Sequence, residues 1–107
     1  MELGKLYQIK EDFWFVYPEK HRAALTSGIN HSFSWGLAGE QHVANQAVNI
    51  SKSLRCNVTY LSPKTILFPI ETDVEYVKVI SGEGVGWMVV IDVCTKHFEE
   101  LKENQSL

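Results

Sequence analysis

The sequence has no long hydrophobic run and no cluster of basic residues. Apolar runs such as Met88 to Ile91 are far shorter than the roughly 18 residues of a membrane-spanning helix, and the first ten residues contain no apolar signal-peptide region. The net charge is −3, and Lys and Arg are scattered, so the electrostatic footprint of a nucleic-acid-binding protein is missing. We therefore expect a cytoplasmic protein that binds neither a membrane nor nucleic acid.

Cysteine is also scarce, with Cys56 and Cys94 the two in the chain. One lone pair is not a disulfide framework, and no secretory signal accompanies it. Two buried free thiols are therefore expected, with a single bridge as the alternative.

Histidine and cysteine together raise the possibility of a zinc site. Cys94 and His97 are three residues apart in CTKH, and the possible partners are His21, His31, His42 and Cys56. Structural zinc sites usually combine two short-spaced ligand pairs, and the sequence offers one. The sequence therefore predicts no metal and no cofactor.

Signatures of catalysis are missing as well. No Gly-x-Ser-x-Gly motif marks a nucleophile, and the glycine-rich run from Ser81 to Gly86 lacks the Lys-Ser/Thr ending of a phosphate-binding loop. That run leads into an apolar strand pattern rather than a helix. We expect a protein that is not an enzyme.

What the chain does contain is enough apolar material for one core. It has 107 residues, of which 45% are hydrophobic and 11% aromatic, and a domain of this length buries roughly two thirds of its unfolded surface. These values predict a single globular domain over residues 1–107.

Alternation of apolar and polar residues predicts strands, and the aromatic and β-branched content supports them. The predicted strands are residues 5–10, 13–17, 56–61, 65–71, 75–80 and 85–91. The first two are expected to pair as a hairpin, and Pro69 places its strand at an edge or a bulge. Ser81 to Gly84 forms a hairpin tip.

One helix is predicted over residues 38–54, because apolar residues recur there at spacings of three and four. The face that these spacings define carries Val43, Ala44, Ala47, Ile50, Ser51 and Leu54. The segment before it, residues 19–36, has no sustained period and is expected to be an irregular insertion. Residues 95–101 fit either a helical turn or a closing strand, and residues 103–107 are expected to fray.

The hairpin over Glu75 to Met88 resembles the distal hairpin of Src-homology-3-like barrels, especially the bacterial type. The residues that carry the resemblance are Tyr76, Val77, Lys78, Val79, Gly84, Gly86, Trp87 and Met88. It implies a mainly β fold, a small antiparallel barrel, into which the helix is inserted. It also implies structural roles for Gly84 and Gly86, a core position for Met88 and a rim position for Trp87.

The chain departs from the peptide-binding members of that family. Tyr76 stands in place of the usual tryptophan, and Val89 to Asp92 replaces a proline-containing turn. Proline-rich peptides are therefore not the expected ligand. The run from Cys56 to Met88 also resembles short, uncharacterised bacteriophage proteins, so a bacterial or phage source is expected.

Aromatic side chains are abundant in this sequence, and they are the residues that could contact a binding partner. Amphipathic aromatics often anchor protein interfaces, although some of them must fill a small core. The candidate contact residues are Trp87, Tyr76, Trp35, Trp14, Tyr17 and Tyr60. The sequence thus favours a non-enzymatic module that binds a protein, a peptide or a second copy of itself. The alternative is a small metal-dependent protein or enzyme that uses His21, His31 or His42.

Overall fold

Two antiparallel sheets and one long helix make up the fold. The computed structural model describes residues 2–24, 32–34, 39–90 and 97–101. In chain order the elements are β1 (Leu6–Ile9), β2 (Asp12–Val16), α1 (Lys20–Ala24), β3 (Ser32–Ser34), α2 (Glu40–Leu54), β4 (Thr59–Leu61), β5 (Ile66–Asp73), β6 (Tyr76–Ser81), β7 (Gly84–Val89) and β8 (Phe98–Leu101). The predicted mainly β fold with one inserted helix is confirmed.

The larger sheet has five strands in the order β7-β6-β5-β1-β8. Hairpins join β5 to β6 and β6 to β7, and the second hairpin closes at the paired residues Ser81 and Gly84. Gly84 has a φ of 116°, a conformation that side-chain-bearing residues rarely adopt. The predicted hairpin tip is therefore confirmed.

The smaller sheet has the order β3-β2-β4, and its central strand β2 is buried on both faces. Trp14 and Val16 point into one core, whereas Phe13, Phe15 and Tyr17 point into a second. Strand β2 therefore separates the two cores, which explains why the five consecutive residues 13–17 are all apolar or aromatic instead of alternating with polar ones.

The two sheets are joined where β2 ends. The backbone N–H of Tyr17 donates to the Trp87 carbonyl oxygen at 2.8 Å, and that of Trp87 donates to the Tyr17 carbonyl oxygen at 2.7 Å. Gly86 lies beside this bridge. A Cβ atom at residue 86 would lie 2.2 Å from Val16 Cγ1 and 3.1 Å from the Tyr17 oxygen. The close approach of the two strands therefore requires glycine.

Helix α2 covers the second core with the face predicted from its spacing. Val43, Ala47 and Ile50 are buried, and Leu54 packs beside them. Arg22 in α1 donates from Nη1 to the Leu54 carbonyl oxygen at 2.9 Å, which satisfies an otherwise unpaired group at the helix end. Neither described helix is long and apolar enough to cross a membrane.

Some local predictions were wrong. Strands β1 and β2 do not form a hairpin, because β1 pairs with β5 and β8 while β2 pairs with β3 and β4. The chain instead crosses from one sheet to the other at Glu11 and Asp12. The prediction for Pro69 was an edge or a bulge, and the bulge is confirmed: strand β5 is central in its sheet, and its register shifts between Pro69 and Glu71.

In two stretches where the sequence did not predict a definite element, the structure contains one. For residues 95–101 the sequence allowed either a helical turn or a closing strand, and the structure has the strand β8 there. The region expected to be irregular contains the short elements α1 and β3. Ala38, at the start of the predicted helix, and the tail 103–107 lie outside the described residues.

Candidate functional site

The aromatic residues predicted to contact a partner do not form one exposed patch. Trp14 and Tyr17 are 1% and 0% exposed and fill the two cores, so neither is available at the surface. Trp35 lies outside the described residues. Tyr60 and Tyr76 are half-buried against the second core, the one that α2 covers.

Trp87 lies on the sheet face opposite the buried Met88, and 8% of its surface is exposed. The Lys20 and Lys78 ammonium groups each lie 5.9 Å from the centre of its ring, a cation–π distance. Lys20 also pairs with Asp73, and this hydrogen bond raises the pKa of the Lys20 ammonium group. Trp87, which the sequence placed at a binding rim, is therefore a buried residue with two ammonium groups near its ring.

Histidines and thiols are dispersed within the part of the chain that the structure describes. His21 Nε2 lies 3.0 Å from a Glu19 carboxylate oxygen, and Cys56 is a half-buried free thiol. No group of three or more His, Cys, Asp or Glu residues with metal-binding geometry occurs among the described residues. His31 and Cys94 lie outside them.

His97 forms a contact that the sequence did not predict. Its Nδ1 lies 2.7 Å from Oδ2 of Asp12, a carboxylate in a residue that is 6% exposed. The Lys10 N–H donates to the His97 carbonyl oxygen at 3.0 Å. These contacts fix the start of β8 beside β2, which is a structural role.

An open groove of about 630 Å³ lies between α2 and β4. One wall is the helix face that carries Ala44, Val48 and Lys52. The tip of the β6–β7 hairpin, Gly82 and Glu83, closes one end. Its volume lies within the usual range for ligand sites, and Val48, half exposed, gives it an apolar wall.

The floor of the groove is a strand edge. Six consecutive residues, 57–62, line it, and in a strand alternate side chains point to opposite faces. A consecutive lining therefore means that the backbone itself borders the groove. Strand β4 pairs with β2 on one side only among the described strands, so its other edge presents N–H and C=O groups to the groove.

Helix α2 fixes this edge through Ser51. The Ser51 hydroxyl accepts the Val58 N–H at 2.9 Å and lies 2.7 Å from the Ala47 carbonyl oxygen and 3.2 Å from that of Val58. The contact satisfies the backbone of Val58, a residue that is 4% exposed. The outer edge of β4 is thereby held at a fixed distance from the helix.

The two ends of the groove carry opposite charge. At one end Glu40 accepts hydrogen bonds from the Tyr60 and Ser62 hydroxyls, at 3.2 and 3.4 Å, and Glu83 stands nearby. Burial and these two carboxylates raise the pKa of Tyr60, so its phenol remains a donor. At the other end Lys52 and Asn57 line the groove.

Of the predicted contact residues, Tyr60 is the one that lines this groove. Sequence reasoning missed Glu40, Val48 and Glu83. Val48 carried a usable signal, because it is an apolar residue outside the buried face of an otherwise amphipathic helix. The position of Glu83 depended on tertiary contacts, which no local pattern reports.

No protein-family model matches this chain, and comparison with curated proteins and with solved structures finds no match.

Proposed function

We propose that this protein is a non-enzymatic binding module that takes an extended peptide segment into the groove between α2 and β4. The observation that carries the proposal is the strand edge that forms the groove floor. A peptide segment would add to β4 as a further strand, so that backbone hydrogen bonds supply affinity and alternate side chains supply specificity.

The groove chemistry specifies the peptide. Glu40 and Glu83 favour a Lys or Arg side chain at the end next to Ser62, while Lys52 favours an acidic residue or a carboxylate at the other end. Val48 and Ala44 favour a β-branched or aliphatic side chain between them. A proline-rich segment fits poorly, because proline has no N–H to donate to a strand edge.

We further propose that the two sheets correspond to a partly open Src-homology-3-like barrel of the bacterial type, working in the cytoplasm of a bacterium or phage-infected cell. The Tyr17–Trp87 bridge and the close approach at Gly86 support this barrel. The proposed peptide site differs from the aromatic groove of proline-binding members, since it uses an edge strand and the inserted helix.

The test is selection from a display library of random linear peptides against the full chain, followed by titration of the selected peptides. We expect enrichment of β-branched residues and of Lys or Arg. Val48→Arg fills the groove from an exposed helix position and should weaken binding by at least about tenfold. Asn49→Arg is the matched control, because Asn49 is exposed on the same helix and does not line the groove.

Backbone methylation supplies an independent check on the binding mode. Selected peptides carrying N-methyl groups on alternate amides should lose binding in one of the two alternation frames, because one set of N–H groups faces the strand edge. A library that yields no binder would contradict the proposal. So would equal binding by the Val48→Arg and Asn49→Arg variants.

A further inference from the structure

The elements that border the groove give it a direction. At the start of α2, Glu40 accepts a hydrogen bond from Ser62, which directly follows β4. Near the end of α2, Ser51 accepts the N–H of Val58, which directly precedes β4. Helix and strand are therefore antiparallel, and β4 ends where α2 begins. A peptide paired antiparallel with β4 would have its amino end there and its carboxyl end next to Lys52.

Charge favours this direction over the parallel one. The end of the groove at Ser62 carries two carboxylates, those of Glu40 and Glu83. Burial, the Glu40 hydrogen bond and the charge of Glu83 raise the pKa of Tyr60, so both carboxylates lie near one hydroxyl group. The other end carries the Lys52 ammonium group. In the antiparallel direction each end of a short peptide meets the opposite charge, whereas in the parallel direction each end meets its own charge.

The tip of the β6–β7 hairpin determines which part of the peptide meets the carboxylates. Gly82 and Glu83, the two tip residues, line the groove at its acidic end. A strand paired with β4 runs toward this tip, and its side chains project to the two faces rather than along the strand. In the antiparallel direction the group that reaches the tip is therefore the α-amino group. With an ordinary pKa of about 8, that group is protonated at neutral pH.

We propose that the groove binds the free amino terminus of a peptide that lies antiparallel to β4, with its α-ammonium group between Glu40 and Glu83. This inference rests on the proposed peptide-binding function and adds the direction of the ligand and the end that is recognised. Capture of a chain terminus is a recurring mode of peptide recognition. The edge from residue 57 to residue 62 spans about 17 Å, so about five residues separate the ammonium group from the acidic group that faces Lys52.

The probes are peptides selected from a random library that is displayed through its carboxyl end, so that every peptide begins with a free amino group. Each selected peptide is titrated against the full chain in three forms: free, acetylated at the amino group, and extended by Gly-Ser-Gly-Ser before the first residue. Acetylation removes the charge, and the extension moves it away from the carboxylates. Each change should therefore weaken binding by at least about tenfold.

Glu83→Gln removes one carboxylate from the acidic end and keeps the size of the side chain. In this variant the advantage of the free peptide over the acetylated one should shrink by at least about threefold. Glu75→Gln is the matched control, because Glu75 is exposed on the corresponding turn between β5 and β6 and does not line the groove. The control should keep the wild-type ratio of affinities. An unchanged ratio in Glu83→Gln would overturn the placement of the ammonium group.

A nitroxide label at the carboxyl end of a selected peptide tests the direction separately. It should broaden the amide resonance of Asn57 and leave that of Glu83 sharp. Broadening at Glu83 instead, or equal affinity of the free, acetylated and extended peptides, overturns this inference while peptide binding in the groove is retained. If no peptide in the library binds, the proposed function fails, and this inference fails with it.

Discussion

At the residue scale, small sequence features decided large parts of the fold. A structural role for Gly86 was expected only through the family resemblance, and the 2.2 Å separation between a hypothetical Cβ and Val16 Cγ1 gives the physical reason why this position requires glycine. The burial of Trp14 and Tyr17 could not be predicted from the sequence, because an amphipathic aromatic side chain suits both a core and an interface. Their exposure depends on which strands pair, and residue type does not determine that.

The first prediction concerns Gly86→Ala. The added methyl group would press on Val16, which is buried and β-branched and therefore restricted at χ1, and on the Tyr17 carbonyl oxygen. Overpacking of this kind should lower the free energy of unfolding by about 1–3 kcal/mol. Chemical denaturation measures the change.

Gly82→Ala is the control for the loss of glycine flexibility. A Cβ atom at residue 82 has no neighbour within 4 Å, so this variant should unfold at nearly the wild-type denaturant concentration. Equal destabilisation of the two variants would mean that the contact with Val16 is not what requires glycine.

At the element scale, the predictable parts were those with a local period. The apolar face of α2 and the β6–β7 hairpin follow from spacing and turn residues alone. Strand β2 was recognisable as a strand, but its partners were not. A strand buried on both faces has no alternation to set its register, and its neighbours β3 and β4 are distant in sequence.

The contact between α2 and β4 leads to the second prediction. Ser51→Ala removes the acceptor for the Val58 N–H, and a buried donor without a partner costs about 1–3 kcal/mol. We expect a loss of that size in the free energy of unfolding. Ser53→Ala, at an exposed position on the same helix, should change stability little.

Peptide affinity should fall in the Ser51→Ala variant as well, because Ser51 holds the groove floor against the helix. Melting curves and peptide titrations on the two serine variants provide both measurements. Unchanged stability in Ser51→Ala would show that the helix and the strand edge are not held together by this hydroxyl.

At the scale of the whole molecule, the proposed function rests on one surface, the groove over the edge of β4. This groove was not visible in the sequence, and neither was the direction in which each sheet face points. The residues Ile66, Phe68 and Ile70 were recognisable as one face of a strand, but whether that face points inward depends on the layer that covers it. In this fold the core side of β5 is taken by Leu67 and Pro69.

The measurement that tests the central claim most directly is amide hydrogen exchange of the full chain with and without a selected peptide. If the peptide adds to the strand edge, bound peptide should slow exchange at the outward-facing amides of Thr59 to Leu61, because these N–H groups gain partners. Slowed exchange confined to other parts of the chain, with Thr59 to Leu61 unchanged, would contradict the account.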